Sequence, residues 1–119
     1  MILLVDDSAE SRYPIARHLG RAGYDIREAG TGSEALRLAR LGADAIILDV
    51  KLRDMSGFGV CEKLKADPVT AHIPVIMYSS YYRFDADRQQ ALDLGAAEYL
   101  SGTPDPDELV QVLRFLVSN

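Results

Sequence analysis

Ala45-Ile46-Ile47-Leu48-Asp49 is the stretch on which the fold turns. Four apolar residues run unbroken into an acid. A strand with one wet face alternates apolar and polar residues, whereas a strand covered on both faces is apolar throughout. Outward from this stretch, Ile2-Leu3-Leu4-Val5 runs into Asp6-Asp7, and Val75-Ile76-Met77-Tyr78 runs into Ser79. Weaker runs lie at Tyr24–Arg27 and Ala97–Leu100. The segments between them are ten to fifteen residues long and have helical spacing. Strand and helix alternating five times predict an α/β fold, (βα)5, with an open parallel sheet and helices on both sides.

The boundaries agree with this reading. Thr31-Gly32-Ser33-Glu34 predicts a capping box opening the second helix, Thr31 accepting a backbone N–H and Glu34 reaching back. Asp105-Pro106-Asp107-Glu108 opens the fifth helix with an acid at the N-cap, proline in the first helical position and Glu108 two residues on. Gly23 and Gly95 mark the ends of the first and fourth helices. Leu109, Val112, Leu113 and Leu116 form one stripe of the last helix. Pro14 conflicts with its surroundings, because a proline inside a helix removes a hydrogen bond and costs about 3 kcal/mol. Either the first helix begins close to Pro14 or it bends there. There is no repeat or linker, and residues 1–119 are expected to form one domain.

The composition narrows the function. With 119 residues, 48% of them hydrophobic and 26% charged, the chain has enough apolar surface for a core and is not disordered. A net charge of −5 and a pI near 4.9 speak against nucleic acid as a direct partner and suit a divalent cation. No apolar run approaches the ~20 residues of a membrane span, and the short apolar start lacks a signal peptide's basic flank. The lone Cys61 cannot form an internal disulfide, so a cytoplasmic setting is expected.

The chemistry lies at the strand ends. Open α/β sheets bind ligands beyond the carboxyl ends of their strands, where this chain carries Asp6-Asp7, Asp49 and Ser79. With Leu3-Leu4-Val5-Asp6-Asp7, these ends form ordered blocks: Ile46-Ile47-Leu48-Asp49 followed by Gly57, Ile73-Pro74-Val75-Ile76 through Ser79, and Gly95-Ala96-Ala97-Glu98-Tyr99-Leu100. Over essentially the whole chain the sequence resembles the receiver domains of two-component response regulators, including those of hybrid histidine kinases.

The resemblance implies a flavodoxin-like, doubly wound five-stranded parallel sheet of order 2-1-3-4-5. Strands 1 and 3 would then be neighbours, and the three aspartates would converge. Two carboxylates ~5 Å apart repel by roughly 3 kcal/mol at an effective dielectric of ~20, so a cation is called for. Hard oxygen ligands on an open site suit Mg²⁺, or Mn²⁺. By the same resemblance Asp49 is the phosphoacceptor, attacking a phosphohistidine on a sensor histidine kinase or histidine phosphotransfer protein. Asp7 binds the metal directly and Asp6 mainly through water, while Asp49 and the backbone carbonyl of Lys51 complete the protein ligands. Ser79 bonds the arriving phosphoryl oxygen, and Tyr99 is the aromatic that turns inward as Ser79 moves. The helix 4–strand 5–helix 5 face then carries the signal to a downstream or fused output domain. Such a domain is not an enzyme in the ordinary sense: it promotes transfer only onto and off its own Asp49.

The chain departs from the family's pattern in two places. Where a lysine followed by a cis-proline is the rule after strand 5, Gly102-Thr103 stands, or Thr103-Pro104 if one residue is inserted. The missing ammonium forgoes a charge-assisted contact worth roughly 1.5–3 kcal/mol. Arg53 replaces the usual proline after the phosphoacceptor. Lys51 and Arg53 are either solvated loop charges or a partial substitute for the lysine. A pseudo-receiver, serving as a phosphorylation-independent interaction module, is the alternative these departures raise.

Two other classes fit less well. A Mg²⁺-dependent phosphatase would carry its acids on one strand with a substrate cap, and a flavin carrier would offer hydroxyls where Asp6-Asp7 would repel a phosphate. His18 and His72 read as surface residues, His18 without an acid partner, and Cys61 as a small core residue. Ser80 and Tyr81 could line the site's entrance. Tyr81, Tyr82 and Phe84 form either a partner-binding patch or a cover for helix 4.

Overall fold

The three strong apolar runs become strands in the computed structural model, which describes residues 1–79 and 85–117. The elements are β1 (Ile2–Val5), α1 (Ala9–Arg21), β2 (Ile26–Ala29), α2 (Gly32–Ala39), β3 (Ala45–Asp49), α3 (Gly57–Ala66), β4 (Val75–Ser79), α4 (Asp85–Asp93), β5 (Glu98–Ser101) and α5 (Pro106–Val117). The strands pair in parallel in the order β2-β1-β3-β4-β5. This is the doubly wound (βα)5 sheet expected. No helix among the described residues is long and apolar enough to cross a membrane.

The central strands are apolar throughout because each face meets a different layer. Leu3, Val5, Ile46, Leu48, Val75 and Met77 pack with Ala35 and Leu38 of α2 and Val60, Cys61 and Leu64 of α3. The intervening Ile2, Leu4, Ala45, Ile47, Ile76 and Tyr78 pack with Ile15 and Leu19 of α1 and Leu109 and Leu113 of α5. The period of two thus sorts side chains between two cores, not between core and water.

The caps form largely as read. Thr31 Oγ1 accepts the Glu34 N–H at 3.1 Å, while Glu34 Oε1 accepts the Gly30 N–H at 3.3 Å, one residue beyond the Thr31 N–H that would close the box. Asp105 accepts the Asp107 N–H at 3.0 Å. Gly23 and Gly95 have φ of 102° and 101°, the left-handed geometry that ends a helix at glycine.

Two expectations need correction, and the open choice over α1 is narrowed. β2 lies two residues beyond Tyr24–Arg27; it is an edge strand with exposed Arg27 and Glu28, so its apolar signal is weak. α1 does not begin near Pro14. It starts at Ala9, where the Ser8 side chain accepts the Ser11 N–H, and runs through the proline. His18 does have an acid partner: its Nε2 lies 2.8 Å from Asp107 Oδ1 of α5.

Candidate functional site

The register builds the site. Val5 lies opposite Leu48 in the β1–β3 pair, so the next step along both strands sets Asp6 abreast of Asp49. Asp6, Asp7 and Asp49 each offer a carboxylate oxygen, and these oxygens lie within 4.8 Å of one another. Asp6 and Asp49 are buried and Asp7 is half-buried. The convergence expected of the three acids is present.

Their electrostatics follow from that proximity. Burial, then the charge of Asp6, then that of Asp7 push the Asp49 carboxyl up to about 7. The Lys51 N–H, 3.3 Å from Asp49 Oδ1, opposes the rise. Asp6 is held from several sides. Its Oδ1 accepts the Ser8 N–H at 2.8 Å, its Oδ2 accepts the Tyr78 hydroxyl, and its backbone carbonyl accepts from the Arg12 guanidinium. Arg12 also pairs with Glu28 at 2.8 Å, tying the β1–α1 loop to β2. Burial and the Asp6 charge drive the Tyr78 phenol far above its ordinary range, so it remains a neutral donor.

The donor chemistry fits a small hard dication. Three carboxylates at this separation repel one another unless a positive charge lies among them, and Asp49 resists ionisation first through its burial and then through that repulsion. Oxygen donors of this kind bind Mg²⁺ or Mn²⁺ rather than softer ions.

Ser79 ends β4 fully buried, and its side chain hydrogen-bonds the Tyr99 hydroxyl. Tyr99 has no exposed surface and lies under the Arg88 guanidinium, 5.6 Å from the ring centre. Its ring is therefore already inside. Gly102 follows β5 directly, with φ of 82°, and its N–H donates to the Ser79 carbonyl at 2.8 Å. Gly102 is thus a left-handed glycine, and no cis peptide occurs among the described residues. Lys51 and Arg53 are exposed. In the same loop Asp54 accepts the Gly32 and Ser33 N–H groups at 2.7 and 3.0 Å, fastening the segment after Asp49 to the start of α2.

His72 is exposed and Cys61 is buried, with its thiol pushed up by burial, as expected of a loop residue and a core residue. Ser80, Tyr81, Tyr82 and Phe84 lie outside the described residues. Tyr78 is the site residue that sequence reasoning missed. Its signal was available: a tyrosine in an otherwise aliphatic buried strand must find a partner for its hydroxyl.

Comparison with known proteins agrees with the geometry. Residues 2–114 match the family model described as the response regulator receiver domain. The chain is 36% identical over 117 residues to the DNA-binding dual master transcriptional regulator RpaA of Synechocystis sp., covering 98% of this chain and 48% of that protein. It is 38% identical over 116 residues to the response regulator PleD of Caulobacter vibrioides, covering 97% of this chain and 25% of that protein. The chain thus spans about half the length of the one relative and a quarter of the other. Among solved structures, the chemotaxis protein CheY4 of Vibrio cholerae superposes with a TM-score of 0.88 at 28% identity, covering 97% of this chain and 96% of that one. The receiver domain of the sensor histidine kinase PA1611 of Pseudomonas aeruginosa superposes with a TM-score of 0.88 at 26% identity, covering 99% and 97%; that structure has a magnesium ion coordinated in its active-site cleft.

Proposed function

The chain belongs to the response regulator receiver domain family, and on that premise we propose that it is a phosphoacceptor switch of a two-component phosphorelay. The observation that carries this reading is the gathering of Asp6, Asp7 and Asp49 around one small space. Asp7, Asp49, the Lys51 carbonyl and, mainly through water, Asp6 would hold Mg²⁺ or Mn²⁺. When bound, the ion supplies positive charge that neutralises the acids and the transferring phosphoryl group.

The protein's own part is positioning. An oxygen of Asp49 attacks the phosphorus of a phosphohistidine. The phosphorus–nitrogen bond breaks, and its electron pair leaves with the imidazole. The Lys51 N–H on Oδ1 sets the carboxylate's orientation before the attack. Ser79 then exchanges the Tyr99 hydroxyl for a phosphoryl oxygen. Because Tyr99 is already inside, the signal is a change in what holds it there, and it shifts the populations of the α4–β5–α5 face.

The donor is a sensor histidine kinase or histidine phosphotransfer protein in the cytoplasm, and the recipient is a downstream or fused output domain. Transfer runs only onto and off Asp49. The absence of any lysine after Lys65 favours one alternative, a pseudo-receiver that docks without phosphorylation.

Incubation with acetyl phosphate and Mg²⁺, read by intact mass, separates the two readings. The wild type is expected to gain one phosphoryl group and Asp49→Asn none. A wild type left unmodified at saturating donor would establish the alternative.

A further inference from the structure

Asp6 is held on both carboxylate oxygens. Ser8 N–H occupies Oδ1 at 2.8 Å, and the Tyr78 hydroxyl occupies Oδ2. Tyr78 is 2% exposed and packs in the same cluster as Leu4 and Ile47, on the face of the sheet that Asp6 continues. A carboxylate bonded in this way cannot turn freely to offer both oxygens to one ion. That matters for ion choice. Ca²⁺ takes about six to eight oxygens and accepts bidentate carboxylates in flexible shells, whereas Mg²⁺ demands a small octahedral shell.

We propose that Tyr78 is a specificity-determining positioning residue: by pinning Asp6 it restricts the acidic site to a small octahedral dication and disfavours Ca²⁺. This rests on the reading that the acids hold a cation. Partners that orient a metal's carboxylate ligands govern affinity although they never touch the ion. Tyr78 is such a partner, supplied by β4 to an acid at the end of β1, two strands away in the sheet. No residue other than tyrosine combines the apolar ring this strand position buries with a donor at the ring's far end.

The test is calorimetric titration of the metal-free full chain with Mg²⁺ and separately with Ca²⁺, in the wild type and in Tyr78→Phe. The variant is expected to bind Mg²⁺ about tenfold more weakly and Ca²⁺ no more weakly, so its preference for Mg²⁺ collapses. Equal weakening of both ions would mark a merely structural role and overturn the proposal, as would no change in either. Far-UV circular dichroism in chelator establishes that the variant folds. If it does not, Tyr78→Met, which also lacks the donor, carries the same expectation. A wild type that binds neither ion contradicts the underlying reading along with the proposal; one that binds Mg²⁺, with an unchanged ratio in the variants, overturns the proposal alone.

Discussion

Asp49→Asn is expected to stabilise the metal-free protein at about pH 8 by a few kcal/mol and, on the proposed function, to abolish phosphoryl uptake. The unfolded chain releases the Asp49 proton near the ordinary 3.8, whereas the folded chain retains it up to about 7. Between these values the folded state binds more protons than the unfolded state, so stability falls as pH rises through the window and levels off above it. At about 1.4 kcal/mol for each tenfold in proton affinity, the penalty at alkaline pH is bounded near 4 kcal/mol. Asparagine keeps the shape and the acceptor for the Lys51 N–H but carries no charge. Urea unfolding in chelator should therefore show a large gain for the variant at about pH 8 and almost none at about pH 4, where Asp49 is protonated in the folded wild type. An equal gain at both pH values would mean that neither burial nor the neighbouring acids raise the proton affinity of Asp49.

The second large effect is expected from Gly57→Ala. A Cβ at this position would lie 2.1 Å from the Asp49 carbonyl oxygen and 2.8 Å from Val50 Cα. Both are backbone atoms, and the Gly57 N–H donates to the Val50 carbonyl at 2.6 Å, so the segment cannot ease aside without losing that bond. Forced overpacking of this kind costs about 3 kcal/mol, and here it displaces the strand end that carries Asp49. Thermal unfolding should show a markedly lower midpoint, and Mg²⁺ uptake should weaken with it. Gly59→Ala is the matched control. Its nearest contact would be the flexible Met55 Cε at 3.8 Å, so alanine should be neutral or slightly stabilising within α3. A Gly57→Ala protein as stable as the wild type would show that the backbone does not approach this closely.

The sheet was legible where burial is two-sided. Ala45–Leu48, Ile2–Val5 and Val75–Tyr78 are covered by helices on both faces, and unbroken apolar runs record that directly. β2 was misplaced by two residues because an edge strand exposing Arg27 and Glu28 carries little apolar signal. The start of α1 was obscured by Pro14, whose local cost suggested either a boundary or a bend. The Ser8 cap and the packing of Ile15 and Leu19 hold the helix through it. The aspartates were conspicuous in sequence, but their convergence depends on the β1–β3 register, which a strand order supplies and composition does not. The tie between His18 and Asp107, 89 residues apart, and the bond from Tyr78 to Asp6, 72 apart, are long-range contacts that no local period encodes.

The most direct measurement is calorimetric titration of Mg²⁺ into the metal-free protein at neutral pH, in buffers of different ionisation enthalpy. The expected result is one ion bound per chain, with protons released as Asp49 gives up its raised affinity for them. A folded protein that takes up no Mg²⁺ at millimolar excess would contradict the gathering of Asp6, Asp7 and Asp49 into one cation site.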